Sequence, residues 1–193
     1  MDSISFQSTI RPISKPQFNK IVMSYGTNKY VDYPWTIKES VFSDRAYTKH
    51  VFDCTVCGIT DGAKVLLMHL CPTNKENRSF QRISSYIKKH FDIKNPQLQG
   101  FLLGSKPNLF DEKSEQVFNI FEKFFEEHKI PYSKLKGGSH INDVAYSLDT
   151  DEWLVSHDFA GNDGVKKVLQ TPKKFFDKFF GEVKLSKYDN FSW

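Results

Sequence analysis

Three cysteines and two histidines lie within one short stretch of the chain, HVFDCTVCGITDGAKVLLMHLCP, residues 50–72. Cys54 and Cys57 have the C-x-x-C spacing of zinc and thiol redox motifs. His69 would come close to Cys54 if the stretch folds back on itself, and a thiol beside an imidazole can act as a nucleophile with its base. The stretch therefore offers a metal site, a redox site, a nucleophile with its base, or two ordinary core strands.

The same stretch predicts a β-hairpin. Two apolar, β-branched runs flank an Asp-Gly pair, and Asp-Gly favours tight turns because it readily adopts positive φ. Successive strand residues point to opposite faces, so Cys54 and Cys57 cannot easily share a metal ion. No helix is predicted after Cys54, as the redox motif would require. The sequence therefore disfavours zinc and redox chemistry.

The register of this hairpin makes Cys54 a candidate nucleophile. A turn centred near Asp61 and Gly62 would pair residues whose numbers sum to about 123, which places His69 opposite Cys54. The alternative is a core cysteine beside a buried histidine with satisfied hydrogen bonds. Cys71 is interpreted as an apolar residue at the end of a strand.

Residues 45–157 resemble the CheD-type chemoreceptor glutamine deamidases and the related catalytic domain of the cytotoxic necrotizing factor toxins. Cys54 takes the nucleophile position, with Asp61 following at the hairpin turn. His69 takes the position of the family's histidine, and Thr48 that of the third catalytic residue. The downstream order of helix, strand, Gly-Gly, strand, turn and strand also resembles the family.

Two departures from the family pattern concern the substrate. Phe52-Asp53 stands where the family commonly has Gly-Ser, and Ile141-Asn142 stands where Gly-Arg usually follows the Gly-Gly pair. Both indicate a substrate class other than chemoreceptors. His140, shortly after Gly137-Gly138, is a candidate substrate-binding residue. Its alternative role is that of a plain histidine at the start of a strand.

The resemblance implies a cysteine-dependent protein glutamine deamidase. An imidazolium at His69 would hold Cys54 as the thiolate that attacks a glutamine carboxamide, and Thr48 would orient the ring. His69 would then protonate the departing ammonia, and water would release glutamate from the thioester without any metal or organic cofactor. For Thr48 the alternative is a capping or turn role before a strand.

The expected partner is a folded protein that carries a reactive glutamine. Three other functions share some of these features and stay open. One is a non-enzymatic signalling module of the same fold, and the others are a thiol protease and a transglutaminase, which use the same acyl-thioester chemistry.

The predicted fold class is α/β, a two-layered, mostly antiparallel β-sandwich flanked by helices, in a single domain over residues 1–193. Residues 1–44 are an N-terminal extension with edge strands at FNKIVMSYG and NKYVDY, residues 45–157 are the core, and residues 158–193 are a connector and helix. That C-terminal helix, TPKKFFDKFF, is expected to dock on the core, the alternative being a partner or a membrane surface.

Within the core, apolar residues at three- and four-residue spacings predict helices at NRSFQRISSYIKKHFD and SEQVFNIFEKFFEEHK. Strands are predicted at LQGFLLGS, IPYSKLKGG, HINDVAYSL and EWLVSH. The last two form a second tight hairpin across an Asp-Thr-Asp turn.

Composition narrows the partners and the compartment. The net charge is +4 with no long Lys/Arg block, which disfavours nucleic acid. No apolar run reaches the length of a signal peptide or a membrane span. An odd number of cysteines outside any spaced framework indicates a reducing compartment, the cytoplasm, or the host cytosol for an exported effector.

Overall fold

A computed structural model describes residues 8–32, 41–51, 54–104, 112–136 and 142–157. The elements in chain order are β1 (Thr9–Ile13), α1 (Lys15–Met23), β2 (Val41–Phe42), β3 (Arg45–Val51), β4 (Thr55–Thr60), β5 (Val65–Leu70), α2 (Phe80–His90), β6 (Gln99–Gly104), α3 (Lys113–Glu127), β7 (Tyr132–Lys136), β8 (Asn142–Ser147) and β9 (Glu152–His157). The predicted C-terminal helix, the Gly-Gly pair and His140 lie outside the described residues.

The strands form two mixed sheets. One has four strands in the order β1-β9-β8-β3, and the other has five in the order β2-β5-β4-β6-β7. Two neighbouring pairs are parallel, β1 with β9 and β6 with β7, and the other pairs are antiparallel. The α/β class and the sandwich-like architecture expected from the sequence are confirmed.

The two sheets bury a common core because alternate strand residues point inwards. Trp153 of β9 stacks on Phe101 of β6, with ring centroids 4.7 Å apart. Gly58 of β4 lies against the same indole, and a Cβ placed at this glycine would come within 1.9 Å of the Cη2 atom of Trp153. The missing side chain at Gly58 therefore allows the sheets to approach each other.

Helices cover the outer faces of both sheets. The predicted helices α2 and α3 are confirmed, and they pack on the five-stranded sheet through a continuous apolar cluster that includes Ile83, Ile87, Phe121 and Phe125. α1 covers the four-stranded sheet through Phe18 and Val22. The fold is thus layered as helix, sheet, sheet and helices.

The strand predicted at FNKIVMSYG is wrong, and the described part of NKYVDY forms only an isolated bridge between Tyr30 and Tyr47. The first segment lies mainly in α1, and the second begins in a 3₁₀ turn at Thr27–Lys29. Ser14 caps α1 by accepting from the Gln17 N–H, Gln17 reaches back to the Ser14 N–H, and Pro16 fits the first turn. Edge strands of this region lie instead at β1 and β2.

Candidate functional site

The hairpin of β4 and β5 is present, but its register differs from the predicted one. Val56 pairs with His69, and Thr55 pairs with Leu70. The prediction that Cys54 lies directly opposite His69 is therefore wrong by two positions.

The side chain of Asp61 explains this difference. Its Oδ1 accepts from the N–H groups of Ala63 at 3.1 Å and Lys64 at 3.0 Å, and its own N–H donates to the Lys64 carbonyl at 3.4 Å. Asp61 therefore opens the turn as its first residue, a position that aspartate favours because its carboxylate can satisfy the following N–H groups. The two loop residues are Gly62, with φ of 80°, and Ala63.

A shift of two positions keeps every side chain on its predicted face. Cys54 precedes Val56 by two residues, so it shares a face with His69 and is its diagonal neighbour. The Cα atoms of diagonal neighbours are typically about 7–8 Å apart, a separation that a ring side chain can still bridge. Both Cys54 and Val56 belong to the core between the sheets.

Cys57 lies on the opposite face of β4. It packs with α2 and α3 in the outer apolar cluster and is completely buried. That burial raises the pKa of its thiol well above the ordinary value. As the strand alternation predicted, Cys57 is turned away from His69.

Thr48 contacts His69 across the space between the sheets. Thr48 lies in β3 and His69 in β5, and the Oγ1 and Nδ1 atoms are 2.7 Å apart. The same hydroxyl lies 2.7 Å from the carbonyl oxygen of Val31. The resemblance implied that Thr48 would orient the His69 ring, and the structure brings the two side chains together.

These two hydrogen bonds define the tautomer of His69. A carbonyl oxygen only accepts, so the single proton of the Thr48 hydroxyl is donated to Val31. Thr48 Oγ1 must then accept from His69, which places the ring proton on Nδ1. Nε2 is consequently the basic nitrogen of the ring, the atom that can take a proton from a nucleophile.

Burial controls the charge of His69, whose residue is only 1% exposed. Loss of hydration lowers the pKa of the imidazole to about 4, a shift opposed by the Asp32 carboxylate and assisted by His50. The ring is therefore neutral near pH 7. The expectation that an imidazolium at His69 holds Cys54 as a thiolate is not met in this resting arrangement.

The carbonyl of Val31 is itself held in place. The Val31 N–H donates to the Tyr47 carbonyl at 2.8 Å, so residues 30–31 run beside β3. Sequence reasoning missed Val31, because a backbone carbonyl that accepts a hydrogen bond has no residue signature.

Asp143 anchors the strand that carries Thr48. The β3–β8 register shifts between Thr48 and Val51, and His50 within this bulge has φ of 60°. The completely buried carboxylate of Asp143 accepts from the His50 N–H at 3.0 Å and from the Ser156 hydroxyl at 3.2 Å, and it pairs with the Lys15 ammonium. An aspartate within the apolar run of β8 was the available sequence signal.

Gly104 brings the end of β6 against the backbone of Cys54. A Cβ at Gly104 would lie 3.0 Å from the Thr55 Cα and 3.1 Å from the Cys54 carbonyl oxygen, and its φ of 153° also disfavours other residues. Cys54 itself is 2% exposed. The candidate nucleophile Cys54 is therefore closely packed against the end of β6.

Among the described residues, no group of histidines, cysteines and carboxylates is arranged to hold a metal ion. None of the described helices combines the length and apolar character that crossing a membrane requires. No known family model matches this chain, and the curated proteins yield no significant match. The functional interpretation accordingly depends on the geometry of Thr48, Cys54 and His69.

Proposed function

We propose that the protein is a cysteine-dependent glutamine deamidase that acts on a protein substrate. The observation that carries the proposal is the hydrogen-bonded chain from the Val31 carbonyl through Thr48 to His69. It directs the basic nitrogen of an imidazole away from Thr48, on the sheet face that also bears Cys54. The two-sheet architecture is compatible with the CheD-like fold that this proposal implies.

The chemistry begins from a neutral thiol and a neutral imidazole. Cys54 gives its proton to His69 Nε2 as its sulfur adds to the carboxamide carbon. The C–N bond then breaks, and the proton on His69 leaves with ammonia. Water attacks the resulting thioester while His69 again takes a proton, so that glutamate and the Cys54 thiol are released.

Thr48 is a positioning residue in this scheme. It keeps the proton on Nδ1 and holds the ring plane, so that the same nitrogen serves as base in both halves of the reaction. A neutral base is ready at pH 7, since the pKa of His69 is lowered to about 4. The oxyanion would need N–H donors near Cys54, each worth on the order of 10²–10³ in rate.

We expect the substrate to be a folded protein in a reducing compartment, bacterial cytoplasm or host cytosol. The sequence offers no paired Arg and Asp motif of the kind that would clamp free glutamine. His140, outside the described residues, keeps its predicted role as a substrate contact.

The test is a screen of candidate proteins for conversion of a glutamine amide to the acid, read by peptide mass spectrometry. Cys54→Ala and His69→Ala should abolish the conversion, whereas Cys57→Ala is the matched control on the other face of β4 and should retain it. Conversion that survives in Cys54→Ala would exclude the proposed nucleophile.

Burial of Cys54 to 2% exposure favours one alternative, a non-enzymatic binding module of the same architecture. Iodoacetamide labelling distinguishes the two, because a thiol whose proton His69 can take during alkylation reacts faster than a structural thiol without a base. The deamidase should label first at Cys54, and His69→Ala should slow that site alone. Equal, slow labelling of all three cysteines would favour the binding module.

A further inference from the structure

Cys71 lies on the same sheet face as Cys54. The hairpin register pairs Thr55 with Leu70, so its continuation by one pair places Cys71 opposite Cys54. Both cysteines belong to the core cluster between the sheets, at 2% and 1% exposure. Neither forms a disulfide in the structure. The two cysteines thus share one buried cluster, Cys54 directly before β4 and Cys71 directly after β5.

The position of the two cysteines next to the β4–β5 ladder favours a disulfide between them. Asp61 and Lys64 form a hydrogen-bonded pair next to the turn, and hydrogen-bonded and non-hydrogen-bonded pairs alternate along an antiparallel ladder. Cys54 and Cys71 lie one position beyond the last pair of the ladder, Thr55–Leu70, where the alternation continued would make them a non-hydrogen-bonded pair, a type whose Cα atoms are typically about 4.5 Å apart. Disulfides span Cα separations of about 4.4–6.8 Å, so the backbone needs little movement.

We infer that Cys54 and Cys71 are a redox pair that a hydroperoxide converts to an intramolecular disulfide. The Cys54 sulfur attacks the peroxide O–O bond and becomes a sulfenic acid, releasing one water from hydrogen peroxide. The Cys71 thiol then attacks the sulfenic sulfur, the S–O bond breaks, and a second water leaves. Two thiols lose two electrons and two protons, and the peroxide is reduced to two waters.

The surroundings of Cys71 suit the role of the attacking thiol in the second step. Its Sγ lies 2.8 Å from the Thr73 hydroxyl, and its carbonyl accepts from the buried Asn77 amide at 2.9 Å. These contacts hold Cys71 at the end of β5. Cys57 faces α2 and α3, so the sheet itself separates it from both partners.

The consequence for activity rests on the proposed function, because a disulfide removes the Cys54 nucleophile. The bridge itself does not rest on it. Oxidation would therefore stop deamidation, and a dithiol reductant would restore it by thiol exchange.

The test oxidises the full chain with hydrogen peroxide and maps the cysteines by non-reducing peptide mass spectrometry. The expected product is a Cys54–Cys71 crosslinked peptide, lighter than the two thiol peptides by two hydrogen atoms and lost on treatment with dithiothreitol. Cys57→Ser, the matched control from the same strand, should form the same bridge. In Cys71→Ser, Cys54 should instead advance to the sulfinic acid.

A bridge that contains Cys57, or persistence of both Cys54 and Cys71 as alkylatable thiols after oxidation, overturns the pair. Bridge formation by a protein whose reduced form has no deamidase activity leaves the redox pair standing and removes the proposed function. Deamidation by a protein that never forms the bridge supports the proposed function and removes the redox pair. Full deamidation by the bridged protein overturns the regulatory consequence.

Discussion

At the scale of single residues, the proton on His69 Nδ1 decides what the site can do. Thr48 fixes that proton because its hydroxyl is already committed as a donor to the Val31 carbonyl. The basic nitrogen of the ring is then Nε2, on the side of the ring away from the Thr48 hydroxyl. In the proposed reaction Thr48 would therefore affect the rate through His69, without touching the substrate.

Replacing Thr48 with valine, which has nearly the same shape, should lower the deamidation rate constant by on the order of 10- to 100-fold. The change strands a buried ring N–H and a buried carbonyl, at a cost of about 1–3 kcal/mol for each unpaired group. Thr48→Ser keeps the hydroxyl and should recover most of the rate. Rates measured across pH, at temperatures where both variants are folded, check this prediction. Equal rates for the two variants would contradict it.

His69 should make the folded state less stable in mild acid. An unfolded histidine takes a proton near pH 6.5, whereas the buried ring does so only near its lowered pKa of about 4. The unfolded state therefore binds more protons between these pH values. The stabilisation is complete above pH 6.5 and is lost as the pH falls to about 4, by a total of about 3 kcal/mol.

Urea unfolding at pH 7 and pH 4 measures this loss. His69→Gln, which does not titrate in this range, is the control that removes the contribution of the carboxylates. The free energy of unfolding should fall further for the wild-type chain than for His69→Gln. A parallel decline in both proteins would show that the ring is not buried in the neutral form.

At the scale of elements, the hydrogen bonds of the turn determine the register of the β4–β5 hairpin. The pattern of apolar residues cannot determine it. A two-residue slip keeps all side chains on the same faces, so alternation predicts the same core for either register. The hydrogen bonds that the Asp61 carboxylate accepts from two backbone N–H groups select the observed register. For this reason the sequence predicted that Cys54 and His69 share a face but not their pairing.

Two of the three described helices were predicted from the sequence, and one was not. α2 and α3 were predictable because long, regular apolar spacing has few other interpretations. α1 was missed, although Ser14, Pro16 and Gln17 form a recognisable helix start. Its nine residues are short and weakly apolar, so the apolar run alone also fits a strand.

At the scale of the whole molecule, the site exists only because two sheets are packed at a defined distance. Thr48 belongs to the four-stranded sheet and His69 to the five-stranded sheet. Gly58 and Trp153 meet between those sheets at a point where a side chain on residue 58 would overlap the indole. The distance between Thr48 and His69 therefore depends on how the core packs.

Gly58→Ala should destabilise the fold by about 1–3 kcal/mol, because the added methyl group overlaps the Trp153 indole. Urea unfolding provides the measurement. Trp153→Leu alone is also costly, but in the double variant the smaller side chain makes room for the methyl group. The two effects should then be less than additive, and strict additivity would contradict a direct clash.

Residues before Arg45 contribute both to the core and to the candidate site. A chain beginning at residue 45 keeps Thr48, Cys54 and His69, yet it loses the Val31 carbonyl, β1 on the edge of β9, and α1. Removing Phe18 and Val22 alone uncovers apolar surface worth about 1.5–3 kcal/mol per side chain. Small domains are stable by only about 5–15 kcal/mol, so this loss is a large fraction of the total.

The truncated chain, residues 45–193, should therefore unfold at a lower urea concentration than the full chain, with a less cooperative transition, and should lack deamidase activity. Phe18→Ala in the full chain is the control, because it weakens the α1 contact while keeping Val31. That variant should lose about 3–5 kcal/mol of stability and retain activity wherever it is folded. A truncated chain that unfolds at the full-length midpoint and remains active would show that Thr48 can orient His69 without Val31.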